Sequence, residues 1–487
     1  MSESSPERRP IGSSAVGGSA AVVATRPTPG HPRPYEFPAF RRTTLSNGLQ
    51  VIVAPMAGRP LVTGSLVVRN GAVDELASEA GATVLAARAL SEGTRQYDAV
   101  ALVEATERLG AALHADAGWD ASTVSVEVPI ERLEPALALL AEMAANPTFP
   151  PREVDRLREE RLNDLLQARA EPRRRVEEAF IASIYAPSSP YHRPAGGLAE
   201  TVAGLDAERL AGAWARGFDP ARMTLILAGD LDQLAGPGDR DPIQVAEALF
   251  GGWTAVPGAR ASGSVSDRSS GDGLRIKLLD RPGSVQTEIR VGHVGVPRRI
   301  DDYAGLSVMS AILGGLFNSR LNMKLREEKG YTYGASAGFD PRRGAGPFAA
   351  RVAVNTEVTV PALVDLLAEL RRIGEAPVTP AELTAARDFL VGVFPLRFET
   401  PGPVVAALGG LVVHDLPDDE LATYRSRIEA VRADQVQAIA AARIHPDRAA
   451  IVMVGDAARI VGDLEEAAIG PLEVIRDDDS AEEVAAG

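Results

Sequence analysis

A stretch reading FDPARMTLILAGD returns 226 residues later as IHPDRAAIVMVGD, with Pro220 over Pro446, Arg222 over Arg448 and Gly229-Asp230 over Gly455-Asp456. Self-similarity at a fixed offset marks a duplicated unit, and it restricts the chain to a fold built twice. The elements leading up to each copy repeat as well. In the first half, TTLSNGLQVIVAP reads as a hairpin turning at Asn47-Gly48, followed by the strand LVTGSLVVRNG and a helix within EAGATVLAARALSEGT. STVSVEVPI then alternates as a strand, and EVDRLREERLNDLLQARA is a long charged helix. In the second half, LRIKLLD and TEIRVGHVGV precede a helix from Tyr303 to Leu313, and a charged helix begins at TPAELTAARDFLVGVFPLRFETP as one did at PPREVDRLREERLNDLLQARAEP. Strands and helices mix within each half. The spacing therefore predicts an α+β protein of two tandem similar domains, each a mixed or antiparallel sheet with helices packed on one face.

Composition sets the expected boundaries. Residues 1–40 read as a disordered leader, 41–254 as the N-terminal domain, 255–273 as a Gly- and Ser-rich linker, 274–470 as the C-terminal domain and 471–487 as a disordered acidic tail. A net charge of -15 argues against nucleic acid, which needs a basic stripe, and suits basic or neutral partners instead. With no cysteine there are no disulfides, thiolate metal sites or Cys nucleophiles. No run of 18 apolar residues is present, so no membrane span is expected, and the Gly, Ser and Pro10 of the leader make a poor signal peptide. The expected location is cytoplasmic. The six histidines, His31, His114, His192, His293, His414 and His445, show no i, i+3 or i+4 pair.

One stretch carries reagents: LREEKGYTYGASAGF, from Leu325 to Phe339. It reads as the end of a charged helix, a glycine turn and a strand. An Arg in the last helical turn and a Tyr on the following strand, Arg326 and Tyr333, can converge as donors toward one oxyanion. The same pair equally describes a helix-capping Arg and a half-buried strand Tyr. Tyr331 competes for the role, since strand alternation puts it on one face with Tyr333.

The duplicated unit resembles the pitrilysin and insulinase family of inverted zinc peptidases, on the branch of the mitochondrial processing peptidase and its bacterial relatives. The likeness rests on NGLxVxV in the first half, GxxxLxxxxLxxGT on its helix, LFGGW, DRPGSVQTEIRVGHVGVPR and ILGGLFNSRLNMKLREEKGYTYGASAGF, and it runs from about residue 40 to 470. It implies that each chain forms half of a clamshell. In that family the catalytic subunit carries HxxEH on the first-half helix, two His one turn apart on zinc and a Glu on the water, with a further Glu on the long charged helix. Here the resemblance puts Val84 and Arg88 in the histidine positions and Ala87 in that of the base, with Leu162, Asn163, Asp164 and Leu165 around the third ligand. A guanidinium opposes a divalent cation and cannot deprotonate to bind one.

The resemblance thus implies no metal and no cofactor in this chain, and a chain not active alone. Arg326 and Tyr333 match the family's pair that reaches the scissile carbonyl across the clamshell. The function it implies is a non-catalytic, substrate-binding and transition-state-stabilising subunit of a heterodimeric zinc endopeptidase, with zinc in an HxxEH-bearing partner subunit and a peptide as substrate. The alternative is a zinc-free structural or peptide-binding scaffold, like the family members built into respiratory complexes as core subunits. The processing peptidase's regulatory subunit has an extended glycine-rich loop where this chain has only Gly314-Gly315, so presequence recognition is not implied.

Overall fold

The computed structural model describes residues 30, 33–58, 60–231, 241–259, 269 and 273–476. The chain divides at Pro34, and Tyr35–Gly487 makes one compact unit. Within it stand two six-stranded sheets. The first is built from β1 (Arg41–Thr44), β2 (Gln50–Pro55), β3 (Leu61–Val68), β4 (Ala112–Ala117), β5 (Ser122–Pro129) and β6 (Met223–Gly229), in the order β1-β2-β6-β3-β5-β4. The second is built from β7 (Arg275–Asp280), β8 (Gln286–Val294), β9 (Ala335–Phe339), β10 (Pro347–Asn355), β11 (Ala450–Gly455) and β12 (Leu472–Arg476), in the order β12-β7-β11-β8-β10-β9.

Five strands of each sheet repeat one topology, and only the edge differs, β1 lying antiparallel to β2 but β12 parallel to β7. The repeated stretches become β6 and β11, each parallel to the first long strand of its half, β2 or β7, and antiparallel to the next, β3 or β8. The duplication extends to single side chains. Asp230 accepts the Gly58 N–H at 3.0 Å, and its counterpart Asp456 accepts the Gly283 N–H at 3.0 Å, so each carboxylate pins the turn ahead of β3 or β8. Gly48, at φ +92°, makes the expected turn between β1 and β2, where a side chain would be strained.

One face of each sheet is covered by helices of its own half, as the α+β reading expects. The other face receives a helix from the opposite half. Pro172–Ile184, a first-half helix, lays Val176, Phe180 and Ile184 on Ala450, Val452 and Val454 of β11. Pro401–Val413, a second-half helix, lays Val404, Val405 and Leu408 on Ile52 of β2, Val67 of β3 and Ile226 of β6. This exchange explains why β6 is buried throughout. Met223, Leu225 and Leu227 face their own half's core, while Ile226 and Ala228 face the incoming helix. Polar contacts lock the same junction. Glu177 receives Arg290 at 2.6 Å and Arg351 at 3.0 Å from the opposite sheet, and the Arg343 guanidinium reaches Asp74 at 2.9 Å.

Two expected boundaries move. Tyr35, Phe37 and Phe40 lie in the stretch read as leader, yet they pack against the Pro401–Val413 helix region, with Phe37 and Phe398 edge to face at 4.9 Å. The apolar payload of three aromatics outweighs the flexible composition around them. The tail begins as β12, paired in parallel with β7, rather than as a disordered end, because Leu472, Val474 and Ile475 meet an open sheet edge. The remainder of the tail, most of the linker and nearly all of the leader lie outside the described residues.

Candidate functional site

In the first half, the helix Ala82–Ala89 starts at Gly81, at φ +97°, against Gly196 and Gly197. A Cβ at Gly81 would lie 2.8 Å from the Gly196 carbonyl oxygen, so glycine is required there. Glu75 caps the helix by accepting N–H groups from Gly81 at 3.0 Å and Thr83 at 2.7 Å, and it pairs with Arg193 at 3.0 Å. Burial pushes the Glu75 carboxyl above its ordinary range, with Arg193 opposing. On this helix Val84 is half-buried and Arg88, one turn on, is exposed; Ala87 is buried among core side chains.

The long helix Pro151–Ala170 carries Asp164. Its carboxylate is held by Arg161 and by both guanidinium nitrogens of Arg174, at 3.0 and 3.3 Å. The Arg174 hydrogen bonds hold it below its ordinary range. A metal site here would need two imidazoles where an isopropyl and a guanidinium stand, and a free carboxylate where this one is committed to two arginines. The residues do not fit zinc. Among the described residues no group of three or more His, Asp or Glu is placed to hold a metal ion.

Tertiary structure does bring together two histidines that the sequence separates. His293 accepts the His445 N–H through Nε2 at 3.1 Å, and its Nδ1 lies 2.8 Å from the Val294 carbonyl. That tautomer uses both ring nitrogens within the fold, and burial lowers the His293 pKa to about 4. The pair is structural.

In the second half, the helix Tyr303–Ser310 passes into a π-helical turn, Ala311–Gly315, and after a short bend a second π-helical segment, Asn322–Glu328, leads through a loop to β9. Wide turns of this kind recur at functional sites, where they re-aim side chains. Gly314 lies so close to β9 that a Cβ would sit 2.1 Å from the Ala337 nitrogen. One buried side chain ties the region together. The Asn322 amide donates to the Leu316 carbonyl at 3.1 Å and the Ser319 hydroxyl at 3.3 Å, and its oxygen accepts the Ala335 N–H at 2.9 Å.

On this frame Arg326 lies over the Phe317 ring, 4.0 Å from its centroid, and pairs with the adjacent Glu327 at 3.3 Å. Gly330, at φ +66°, ends the helical segment. Both tyrosines fall in the loop before β9 rather than on the strand, so strand alternation does not apply to them. Tyr331 is half-buried against the second-half core, whereas Tyr333 is 95% exposed at the tip of a turn. The Thr332 hydroxyl closes that turn by accepting the Gly334 N–H at 3.1 Å and donating to the Gly334 carbonyl at 3.0 Å. A packing role fits Tyr331. Tyr333 has no hydrogen-bond partner among the described residues, and a tyrosine that touches nothing in its own chain is not explained by packing. Sequence reasoning missed Phe317 and Asn322, because ring exposure and a buried amide's partners are decided by chain reversal.

Two family models match the chain: insulinase (peptidase family M16) over residues 51–191, and the peptidase M16 inactive domain over residues 204–390. An uncharacterized zinc protease of Streptomyces coelicolor is 24% identical over 406 residues, spanning 82% of this chain and 86% of that protein. A non-peptidase homolog of Helicobacter pylori is 25% identical over 341 residues, 69% of this chain and 75% of that one. Among solved structures, a peptidase M16 inactive domain from Pseudomonas fluorescens superimposes with a TM-score of 0.78 at 24% identity, covering 86% of this chain and 98% of that chain. A protease from Helicobacter pylori does so with 0.78 at 17% identity, covering 86% and 100%.

Proposed function

The chain belongs to the insulinase family of peptidases, M16, and from that premise we propose that it holds no zinc of its own and is the substrate-binding, non-catalytic subunit of a heterodimeric zinc endopeptidase. One observation carries the reading: the residues matched to the family's metal ligands are a guanidinium and an aliphatic chain, while the second half carries a half-buried Arg326 and an almost fully exposed Tyr333. Because that pair has no reacting centre in its own chain, its target is a bond held by another subunit. There the Arg326 N–H groups and the Tyr333 hydroxyl donate to the substrate carbonyl as it becomes an oxyanion, and the partner's HxxEH helix supplies metal and water. A single fixed donor of this sort is worth roughly 3–4 kcal/mol in the transition state.

The test is capture of the tagged chain from its native cell, followed by peptide cleavage with the captured partner. An HxxEH-bearing partner, with Arg326→Ala and Tyr333→Phe each lowering kcat/KM about 100-fold in an intact complex, supports the reading. Wild-type rates for both variants would sink it. A partner with no such motif, or a stable homodimer alone, would make the chain a scaffold instead. Purified alone, the chain is expected to carry no stoichiometric zinc, and one tight zinc per chain by metal analysis overturns the subunit assignment.

A further inference from the structure

We infer that Phe317 is the positioning residue for Arg326: its ring holds the guanidinium flat at the surface and leaves the hydrogen-bonding edge open to a substrate carbonyl. This rests on the reading of Arg326 given above. Phe317 is 71% exposed, so it contributes little to the core, and burial does not account for an aromatic ring there. Its backbone, by contrast, is fixed on both sides. The preceding carbonyl, Leu316, accepts from the Ser319 N–H at 3.1 Å and from the Asn322 amide at 3.1 Å. The ring therefore projects from a rigid bend, with the Arg326 guanidinium carbon 4.0 Å from its centre.

The choice of an aromatic support has a chemical reason. A guanidinium donates only in its own plane, so a ring stacked on its face restrains it without occupying a donor. A carboxylate would restrain it by consuming two of them. The Glu327 contact, at 3.3 Å between partly exposed neighbours in sequence, engages a single nitrogen and is too weakly held to set the orientation. An unsupported arginine at this site would spread over many rotamers, and that entropy would be lost again in each transition state.

The experiment combines two readouts. In the full chain alone, labelled with 15N-arginine, the Arg326 Nε–H proton is expected to lie upfield through the ring current, to stay there in Phe317→Trp and to move to the unshielded position in Phe317→Leu. In the complex with the HxxEH subunit, cleaving a quenched fluorescent peptide, Phe317→Leu is expected to lower kcat about two- to fivefold, the size of an exposed cation–π contact, with KM little changed. Phe317→Trp should restore the rate, and Phe317→Leu should add nothing in an Arg326→Ala background. Because the ring is exposed, neither variant threatens folding. A wild-type rate for Phe317→Leu beside a slow Arg326→Ala overturns the inference and leaves the subunit assignment standing. An equal loss from Phe317→Leu in the Arg326→Ala background overturns it too, since the ring would then act independently. A wild-type rate for Arg326→Ala overturns the role of Arg326 itself, and the inference with it.

Discussion

Leu408→Ala tests the exchange of helices that makes the two halves one body. Leu408 is completely buried on the second-half helix Pro401–Val413, in a cluster with Ile52, Val67, Ile226 and Ala228 of the first sheet. Next to it, a Cβ on Gly409 would lie 3.6 Å from a Val67 methyl and 3.8 Å from Ile226, which shows how closely the helix backbone approaches the strands. A site so enclosed relaxes little, so truncation to Ala should cost roughly 3–4 kcal/mol, the lost transfer term plus a cavity. All three tryptophans, Trp119, Trp214 and Trp253, belong to the first half. Because Arg342 of the second half lies over the Trp119 ring at 4.5 Å, tryptophan fluorescence in urea is read in a Trp119→Phe background, where Trp214 and Trp253 report first-half unfolding. A mutation in the second half that moves this transition by the full cost, with circular dichroism following the same curve, is the expected result. If the tryptophan midpoint stays put, or the two signals separate into two transitions, the halves are independent and the reasoning fails.

Removing the Asn322 amide leaves the buried Ala335 N–H without its partner and the Leu316 carbonyl with only the Ser319 N–H, so Asn322→Ala should lose about 1–3 kcal/mol of stability and raise amide exchange at Ala335; protection equal to wild type would contradict its role as a tie. His293 is neutral in the fold with a pKa of about 4 against 6.5 when unfolded, so its contribution is complete above pH 6.5 and drains away as pH falls toward 4, on the order of 3 kcal/mol. The fall in Tm between pH 7 and 4 should flatten in His293→Gln, and an unchanged slope would refute it. Glu382 behaves similarly at lower pH. Burial raises its carboxyl, but Arg320 at 2.7 Å and the Thr379 N–H outweigh this and hold it at about 2, so its stabilisation is present above pH 4.5 and is lost as pH falls toward 2. Arg320→Leu should remove that part of the acid sensitivity. Finally, replacing Val84→His, Ala87→Glu and Arg88→His should give weak zinc binding, tightened about tenfold by adding Arg161→Ala with Arg174→Ala, which together free Asp164; calorimetric affinities that ignore the two added changes would show that Asp164 is not the further ligand.

The site was legible in unequal parts. The resemblance matched Val84, Ala87 and Arg88 to the family's ligand and base positions, and the three do lie on one helix, as an i, i+3, i+4 spacing requires. Arg326 and Tyr333 could be named but not posed. Strand alternation grouped Tyr331 with Tyr333, whereas a loop precedes β9 and sends one inward and the other out. Nothing local in LFNSRLNMK announces that Asn322 binds three partners or that Phe317 supports a guanidinium nine residues beyond it, since both depend on a bend between two π-helical turns.

By itself the sequence determined the duplication and the strand and helix order of each half, because periodicity and turn residues act over a few residues. Only the tertiary structure decided that each half lends a helix to the other's sheet, that Asp164 is committed to two arginines, that Tyr35, Phe37 and Phe40 join the core and that Tyr333 stands clear of it. The reason is common to all four: an apolar strand or a charged side chain declares that it needs a partner, but which distant segment supplies the partner is settled by where the whole chain can close with its apolar faces buried and its charges paired.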